Sequence, residues 1–600
     1  MEIDNLQGIY EKRIDLFKLN EFKIKKQLVL LSFLRFISFI LSIIVIVLLN
    51  KQFSIFLLGI LFFLFSLFIA GVIFYLKKTE VLNHFKNLIR INSDEINVLN
   101  NDFSGFNNGE EFINRDHAYS YDLDLFGEGS LFQYLNRTVT LVGRELLAKK
   151  LLNITKESSF VENQQKGITE LNPKIDWRQN FIATAYSCPV TKDDNKKIND
   201  WIEQPVYYLK RVFFKIIVVL LPAVTLSFLV LLLAGISSYM WFVFFGLLQL
   251  FIASLLLRKT NEEQRIVTEE LRILKNYSKL IKRIESEEFS SEVLKKLQNN
   301  LKTGDLKAEA AFKKLIKIID AFDTRLNMIL GVVLNATLMW DLYSVMRLER
   351  WKIKYGQNVK QWVKVIAEFD FYCSLSNYAY NNPDFIYPTI SDQMILETEN
   401  LGHPLIPETK RVNNNFKIEN PGEIDIITGA NMAGKSTFLR TVGINLILAM
   451  TGAPVCAKKF NFRLMDLYSG MRTADSLKEN ESYFYAELKR LKKIVEKLQV
   501  GEATFILLDE ILKGTNSIDK AEGSKKFVEH LILLKATGIV ATHDLTLCDL
   551  QKTHPQNIKN KCFEVEIHGD KIKFDYKLRA GITQNMNASV LMRQMGIFTN

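Results

Sequence analysis

Four long apolar runs constrain this chain more than any other feature of its sequence. They cover residues 28–49, 53–76, 212–235 and 240–257. Their only charged residues are Arg35 and Lys215, which lie near the ends of their runs and can extend to the membrane surface. A helix needs about 20 apolar residues to cross a hydrocarbon core of ~30 Å, and a buried core helix is usually shorter. The sequence therefore predicts four transmembrane helices.

Short connections pair these runs into two hairpins. Only residues 50–52 join the first pair, and a few residues around Ser237 join the second, so the soluble parts all lie on one side of the membrane. Cationic residues flank the runs on that side: Lys23, Lys25, Lys26, Lys77, Lys78, Lys210, Arg211, Arg258 and Lys259. Cytoplasmic flanks carry such an excess of Lys and Arg. We therefore expect a multi-pass protein of the cell (inner) membrane with its soluble domains in the cytoplasm.

The remaining sequence divides into helical regions and a C-terminal α/β region. With 600 residues, the chain exceeds the ~250 to 300 residues at which a single core usually stops growing. Leu, Ile and Phe recur at helical spacing in residues 77–205 and 260–390, whereas prolines near residue 388 end this pattern. We predict six parts in chain order. They are an N-terminal cytosolic segment (1–27), a first hairpin (28–76), a first helical part (77–205), a second hairpin (206–259), a second helical part (260–390) and a C-terminal domain (391–600).

Charge and cysteines add weaker constraints. The formal net charge of +11 is compatible with nucleic acid, with anionic lipid or with an ordinary basic cytosolic protein. The five cysteines are widely spaced and form no zinc-binding pattern, which favours reduced, cytosolic soluble parts.

A phosphate-binding motif stands in the C-terminal region. The apolar strand at residues 424–428 precedes a GxxxxGKS sequence, the Walker A pattern, and an apolar-periodic helix follows. The glycines let backbone N–H groups surround phosphates, Lys435 neutralises their charge, and the Ser436 hydroxyl binds Mg²⁺. The predicted ATP-binding residues are Gly429, Ala430, Asn431, Met432, Ala433, Gly434, Lys435, Ser436 and Thr437.

Two further strands bring polar residues to this motif. The apolar run at residues 504–508 ends in Asp509 and Glu510, and the run at 537–542 ends in His543. Asp509 is predicted to hold Mg²⁺, Glu510 to orient and deprotonate the attacking water, and His543 to contact the γ-phosphate. The alternating segment at 562–577 predicts a hairpin beside the parallel sheet. The fold class is therefore multidomain, with an α/β P-loop ATPase domain after the helical regions.

Several of these motifs resemble the MutS family of ABC-type ATPases, which includes DNA mismatch repair proteins. The similarity lies in TGANMAGKSTFLR at 428–440, in LLDE at 507–510 and in ATHDL at 541–545. The segment at 123–152 is similar to the start of the family's core and lever region, and residues 366–379 are similar to its return into the ATPase domain. The resemblance covers roughly residues 115–600, with the second hairpin inserted.

The resemblance implies a homodimer in which each ATP lies between one subunit's phosphate loop and the partner's signature loop. On that basis Ser482 is the candidate for the γ-phosphate contact across the dimer. ATP hydrolysis would drive the levers, which act on DNA in the family and would here also be coupled to the membrane. The family's adenine-binding positions correspond to Val412 and Cys562.

The chain also departs from the family pattern. Only 27 residues precede the first apolar run, and they contain no Phe-x-Glu motif, so we expect the mismatch-recognition domains to be lacking. The chain ends at Asn600, where relatives continue into a helical dimerisation element.

Two functions remain open from the sequence. The first is a membrane-anchored MutS-like ATPase acting on DNA, and the second is a membrane mechanochemical or transport-coupled ATPase without a DNA substrate. A pure scaffold is disfavoured because Lys435, Asp509 and Glu510 are all retained.

Overall fold

The computed structural model of the chain describes residues 3–187, 192–269, 271–303, 306–430, 432–472, 483–513, 516–568 and 571–584. The described part before residue 388 is almost entirely helical. Its helices are α1 (Ile3–Lys51), α2 (Ile55–Leu99), α3 (Leu131–Leu135), α4 (Leu141–Leu152), α5 (Ser158–Leu171), α6 (Ile175–Tyr186), α7 (Lys192–Glu203), α8 (Val212–Leu233), α9 (Tyr239–Glu269), α10 (Leu271–Glu285), α11 (Glu292–Asn299), α12 (Ala308–Asp323), α13 (Met328–Leu338) and α14 (Trp340–Asn381). A small ribbon of β1 (Lys302–Thr303) and β2 (Leu306–Lys307) precedes α12.

In its described residues, the C-terminal part combines two sheets with four helices. The strands are β3 (Thr389–Ile390), β4 (Leu396–Leu401), β5 (Asn414–Ile418), β6 (Ile424–Gly429), β7 (Lys459–Phe462), β8 (Asp466–Gly470), β9 (Thr504–Asp509), β10 (Thr537–Thr542), β11 (Ile558–His568) and β12 (Lys571–Ala580). The helices are α15 (Lys435–Met450), α16 (Tyr483–Gln499), α17 (Ser517–Leu533) and α18 (Leu550–Thr553). The described part of the molecule is thus mostly helical, with an α/β region of two sheets at its C-terminal end. Single 3₁₀ turns occupy Glu110–Phe112, Thr324–Leu326 and Leu545–Asp549.

The six-stranded sheet positions the candidate site. Its order is β12-β11-β6-β10-β9-β8, with β8, β9, β10, β6 and β11 parallel and β12 antiparallel at the edge. Strands β6, β9 and β10 are buried along their whole length, as expected for central parallel strands covered on both faces. A four-stranded sheet of order β3-β7-β4-β5 lies beside it in the same region.

Among the described residues, four helices are long and apolar enough, by length and composition, to cross a membrane. They are α1, α2, α8 and α9, and at most 17% of each apolar window is buried inside the protein. Three of them continue past domain boundaries predicted from the sequence. Helix α1 runs through residue 27, α2 through 76 and α9 through 259, because the Lys and Arg residues there are good helix formers. The domain boundaries themselves stay predictions.

Helix α14 organises the helical part. Its 42 residues correspond to a length of about 63 Å, and buried residues occur along most of it. The buried carboxylate of Asp370 accepts hydrogen bonds from the backbone N–H and the hydroxyl of Thr140, at 2.8 and 2.6 Å, and so fixes the start of α4. One continuous hydrophobic core joins this region to the sheet, where Leu123 packs against Gly443 of α15.

Candidate active site

A strand, a loop and a helix form the centre of the candidate site. Strand β6 ends at Gly429, and α15 begins at Lys435. Gly434 has φ +105°, a conformation that residues with a Cβ rarely adopt, and a Cβ there would lie 3.1 Å from the Tyr576 ring. A Cβ at Gly429 would lie 2.8 Å from the Phe563 carbonyl oxygen. Both glycines are therefore required by the close approach of neighbouring chain, and the loop delivers the N-terminus of α15 to the site.

The Lys435 ammonium lies inside this loop. Its Nζ donates hydrogen bonds to the carbonyl oxygens of Gly429 and Ala430, at 2.6 and 3.0 Å. Burial lowers the pKa of Lys435, and the negative charges of Glu510 and Asp509 partly oppose this shift. A buried cation held at a helix N-terminus is suited to an anionic ligand.

Ser436 and Asp509 meet although 73 positions separate them in the sequence. The Ser436 hydroxyl donates to the Asp509 carboxylate at 2.5 Å, while the other carboxylate oxygen, Oδ1, is buried without a hydrogen-bond partner among the described residues. Burial raises the pKa of Asp509, and the bond from Ser436 partly opposes this. Mg²⁺ typically binds one or two protein oxygens together with water and phosphate oxygens. The pair and its unused oxygen fit that pattern.

Glu510 lies next to Asp509 in a strained conformation. Its φ of +53° is unusual for a residue with a side chain, and its N–H donates to the Ala541 carbonyl at 2.9 Å. The carboxylate lies 3.4 Å from Nδ1 of His543 and 3.6 Å from Nζ of Lys513. Burial disfavours the charged carboxylate, but Lys513 and His543 outweigh this effect and lower its pKa. Glu510 is therefore held as an anion facing the loop.

A cavity of about 440 Å³ opens beside these residues. Its lining includes six of the nine predicted ATP-binding residues and Glu510: Ala430, Met432, Gly434, Lys435, Ser436, Thr437 and Glu510. Gly429 and Ala433 are not part of this lining, and a Cβ at Gly429 would lie 3.6 Å from Cβ of Ala433. Asn431 and Ser482 lie outside the described residues. The volume is within the range of small-molecule sites.

The structure adds residues that the sequence reasoning missed. Val412 lines the cavity as expected, but on β11 it is Phe563, the neighbour of Cys562, that lines it, together with Tyr576 of β12 and His403. The alternating pattern at 562–577 could have indicated Phe563 and Tyr576, because alternate residues of a strand face the same side of the sheet. Burial lowers the pKa of His403 to about 4, so its ring is neutral at physiological pH.

Two buried carboxylates support the site from a distance. Glu487 of α16 accepts hydrogen bonds from the N–H groups of Leu512 and Lys513, at 2.6 and 3.1 Å, and so holds the loop after Glu510. Asp122, from the segment before α3, accepts hydrogen bonds from the Ser469 hydroxyl at 2.8 Å and from Arg490 of α16 at 2.7 Å. The contacts of Asp122 join the helical part to the sheet.

The C-terminal region matches known proteins. Residues 425–595 match the family model described as MutS domain V. The chain is 31% identical over 233 residues to MutS protein homolog 4 of Mus musculus, covering 37% of this chain and 23% of that protein. It is 29% identical over 279 residues to the DNA mismatch repair protein MutS of Carboxydothermus hydrogenoformans, covering 45% and 32%. It is also 29% identical over 249 residues to Endonuclease MutS2 of Fusobacterium nucleatum, covering 40% and 31%. The chain thus spans about a quarter to a third of the length of these relatives.

Proposed function

We propose that this chain, which belongs to the MutS family, is a membrane-anchored, Mg²⁺-dependent ATPase that acts on DNA. The observation that carries the proposal is the meeting of the Gly429–Gly434 loop, the Ser436–Asp509 pair and Glu510 around one cavity. Two of the relatives are a DNA mismatch repair protein and an endonuclease, which supports DNA as the substrate class.

In this proposal each residue of the site has a part in hydrolysis. Backbone N–H groups of the loop and the start of α15 hold the β- and γ-phosphates, and Lys435 neutralises their charge. Ser436 and Asp509 would hold Mg²⁺, which supplies charge compensation for the phosphates. Glu510 orients a water for attack on the γ-phosphorus and accepts its proton as the bond to ADP breaks. His543, beside Glu510, contacts the γ-phosphate oxygens.

The membrane anchor rests on the four apolar helices. Their side chains are largely exposed in the protein, which is costly in water and favourable in lipid. The cationic residues at their ends favour a cytoplasmic position for all soluble parts. We infer a multi-pass protein of the cell (inner) membrane.

A homodimer through the C-terminal domains completes the proposal. The family relationship supports it, and in such a dimer Ser482 would contact the γ-phosphate bound by the other subunit. A molecular mass in ATP that equals one chain, measured by light scattering with the detergent subtracted, would contradict this part.

A second candidate is a membrane mechanochemical or transport-coupled ATPase with no DNA substrate. The observation that favours it is the link between α14 and both hairpins. Glu349 accepts hydrogen bonds from the N–H groups of Tyr207 and Leu209, at 2.6 and 2.7 Å, just before α8 begins. Near the other end of α14, the Tyr10 hydroxyl of α1 donates to Asn381 at 2.6 Å. Motion of α14 would therefore reach the membrane helices directly.

The ATPase rate of the purified chain in liposomes separates the two candidates. At low salt, duplex, single-stranded or branched DNA should stimulate hydrolysis, and the stimulation should fall steeply as salt rises because phosphate contacts dominate DNA affinity. A rate that ignores all three DNAs but responds to lipid composition would replace the first candidate with the second.

A variant tests the hydrolytic role itself. Glu510→Gln should bind ATP but hydrolyse it at least ~100-fold more slowly, because a general base contributes about that much or more. Glu522→Gln is the matched control, since Glu522 is exposed on α17 and forms an ion pair with Lys526 four residues on. Unchanged turnover in Glu510→Gln would refute the role of Glu510.

A further inference from the structure

Helix α13 is a short apolar helix outside the two predicted hairpins. The fifteen residues from Leu326 to Trp340 carry no charge, whereas Arg325 and Asp341 flank them. Several side chains of this segment are strongly exposed: Leu326, Met328, Ile329, Leu330, Val332 and Val333. The 11 residues of α13 correspond to a length of about 16 Å, roughly half of a ~30 Å hydrocarbon core. The helix is too short to cross a membrane alone.

Packing places α13 against the second hairpin. A Cβ at Gly246 of α9 would lie 3.9 Å from Cβ of Ala336, so the two helices approach closely there. Gly246 lies twelve residues before Arg258, the first cationic residue after the apolar run of α9. That separation is about 18 Å along the helix axis. The contact is therefore well inside the uncharged part of α9, and the exposed face of α13 continues the apolar surface of the hairpin.

The chain returns to the polar side immediately after α13. Met339 adopts φ +48° and ψ +45°, and α14 leaves at 81° to α13. The Trp340 indole then donates to the Ala321 carbonyl of α12 at 2.9 Å, so the chain entering α13 and the chain leaving it lie side by side.

Polar contacts close this turn. Arg325 and Asp341 form an ion pair at 3.2 Å with both side chains buried, and Arg325 also donates to Asn261 of α9. Asn335 accepts a hydrogen bond from the Asp341 N–H at 3.0 Å and donates to the Gly331 carbonyl at 3.0 Å. The two hydrogen bonds of Asn335 pair its amide and the Asp341 N–H, which would be costly to leave unpaired in lipid.

We propose that residues 326–340 form a re-entrant membrane segment whose exposed face contacts the acyl chains of the bilayer. The inference rests on the proposed membrane anchor. Helices α8, α9 and α13 then form one membrane unit of three helices. Since α14 starts where this segment ends, the N-terminus of this long helix is anchored in the bilayer.

Site-specific fluorescence tests the proposal. The full chain, with its five cysteines replaced by alanine, receives one new cysteine at Val333, Leu220 or Ile353 and is labelled with an environment-sensitive dye. The three side chains have similar exposure, 52%, 55% and 62%, but lie on α13, on α8 and on the polar part of α14. After reconstitution, lipids brominated along the acyl chain should quench the dye at 333 at least about half as strongly as at 220, and barely at 353. Retained ATPase activity shows that each variant folds, and Val332→Cys replaces Val333→Cys if that variant fails.

The possible outcomes separate the two proposals. Quenching at 220 with none at 333 overturns the re-entrant segment and leaves the anchor intact. A blue-shifted but unquenched dye at 333 means that protein, such as a second copy of the chain, covers this face, which also overturns the proposal. Absence of quenching at 220 overturns the membrane anchor itself.

Discussion

The buried carboxylate of Asp122 provides a sharp test of how the helical part is joined to the sheet. It is fully buried and accepts four hydrogen bonds, from the Ser469 hydroxyl, the N–H groups of Met471 and Arg472, and the Arg490 guanidinium. These donors lie at the end of β8 and within α16, on both sides of residues 473–482. Replacing Asp122 with Ala removes every acceptor at once and leaves the Arg490 cation, whose side chain is 15% exposed, without its carboxylate.

The expected loss of folding stability depends on how deeply the ion pair is buried, not on the distance between its charged groups. Breaking a buried ion pair by removing one partner costs about 3–5 kcal/mol, because the other charge stays buried and uncompensated. The ion pair of Lys552 with Asp549 has the same separation as that of Arg490 with Asp122, 2.7 Å, but its side chains are 82% and 61% exposed. Such surface pairs are worth about 0–1 kcal/mol. Asp122→Ala should therefore be several times more destabilising than Asp549→Ala.

Thermal unfolding in detergent, followed by fluorescence, measures the difference. For a C-terminal domain of about 200 residues, Asp122→Ala should lower the unfolding midpoint by on the order of 10 °C, and Asp549→Ala by at most a few degrees. ATPase activity at a temperature where both variants remain folded should fall only in Asp122→Ala, because α16 also holds the loop after Glu510. Equal midpoints for the two variants would show that the pair at Asp122 does not join the two parts.

Three further outcomes follow from individual contacts. Because burial lowers the pKa of His403 to about 4, whereas an unfolded histidine titrates near 6.5, the folded protein should lose about 3 kcal/mol as the pH falls from 6.5 to 4. His403→Gln should lose less over that range in thermal scans, and an identical pH dependence would contradict this. Glu349→Gln should cost about 1–3 kcal/mol and reduce the response of ATPase activity to lipid composition, because its carboxylate holds the N–H groups before α8; an unaltered response would count against the coupling. Tyr576→Ala should weaken ATP binding by about two- to tenfold at unchanged maximal rate, measured by equilibrium titration, since aromatic contacts contribute about 0.5–1.5 kcal/mol; lower turnover with unchanged affinity would contradict it.

The sequence was most informative where chemistry and local geometry share one stretch of chain. The glycines of the loop, Lys435 and Ser436 stand within eight positions, and the strand and helix around them have clear periodicity. Asp509, Glu510 and His543 could be placed because each stands at the end of a buried strand or directly after it, and parallel strands end at the same edge of a sheet.

Contacts between distant segments had no comparable signal. Asp122 is 368 positions from Arg490, and Glu487 is 25 positions from Leu512, so no spacing rule connects them. An isolated carboxylate in a sequence is usually a solvated surface group, and only the fold shows that these two are buried. Helix α13 was missed for a different reason. Its apolar run is too short for a span, and Gly331 and Asn335 interrupt it, so it was included in the helical part of residues 260–390.

The attachment points of α14 decide how far a small motion would reach. Asn381, tied to α1, and Glu349, tied to the start of α8, are 32 residues apart, about 48 Å along the helix. Under the proposed function, a rotation of α14 by about 10° around its Asn381 end would displace Glu349 by roughly 8 Å, which is a typical amplitude for rigid-body switching. The start of α8 and the stretch of α1 before its apolar run are held near opposite ends of this helix. Under the proposed function, a rotation of α14 would therefore move one attachment point relative to the other, whether or not DNA is the substrate.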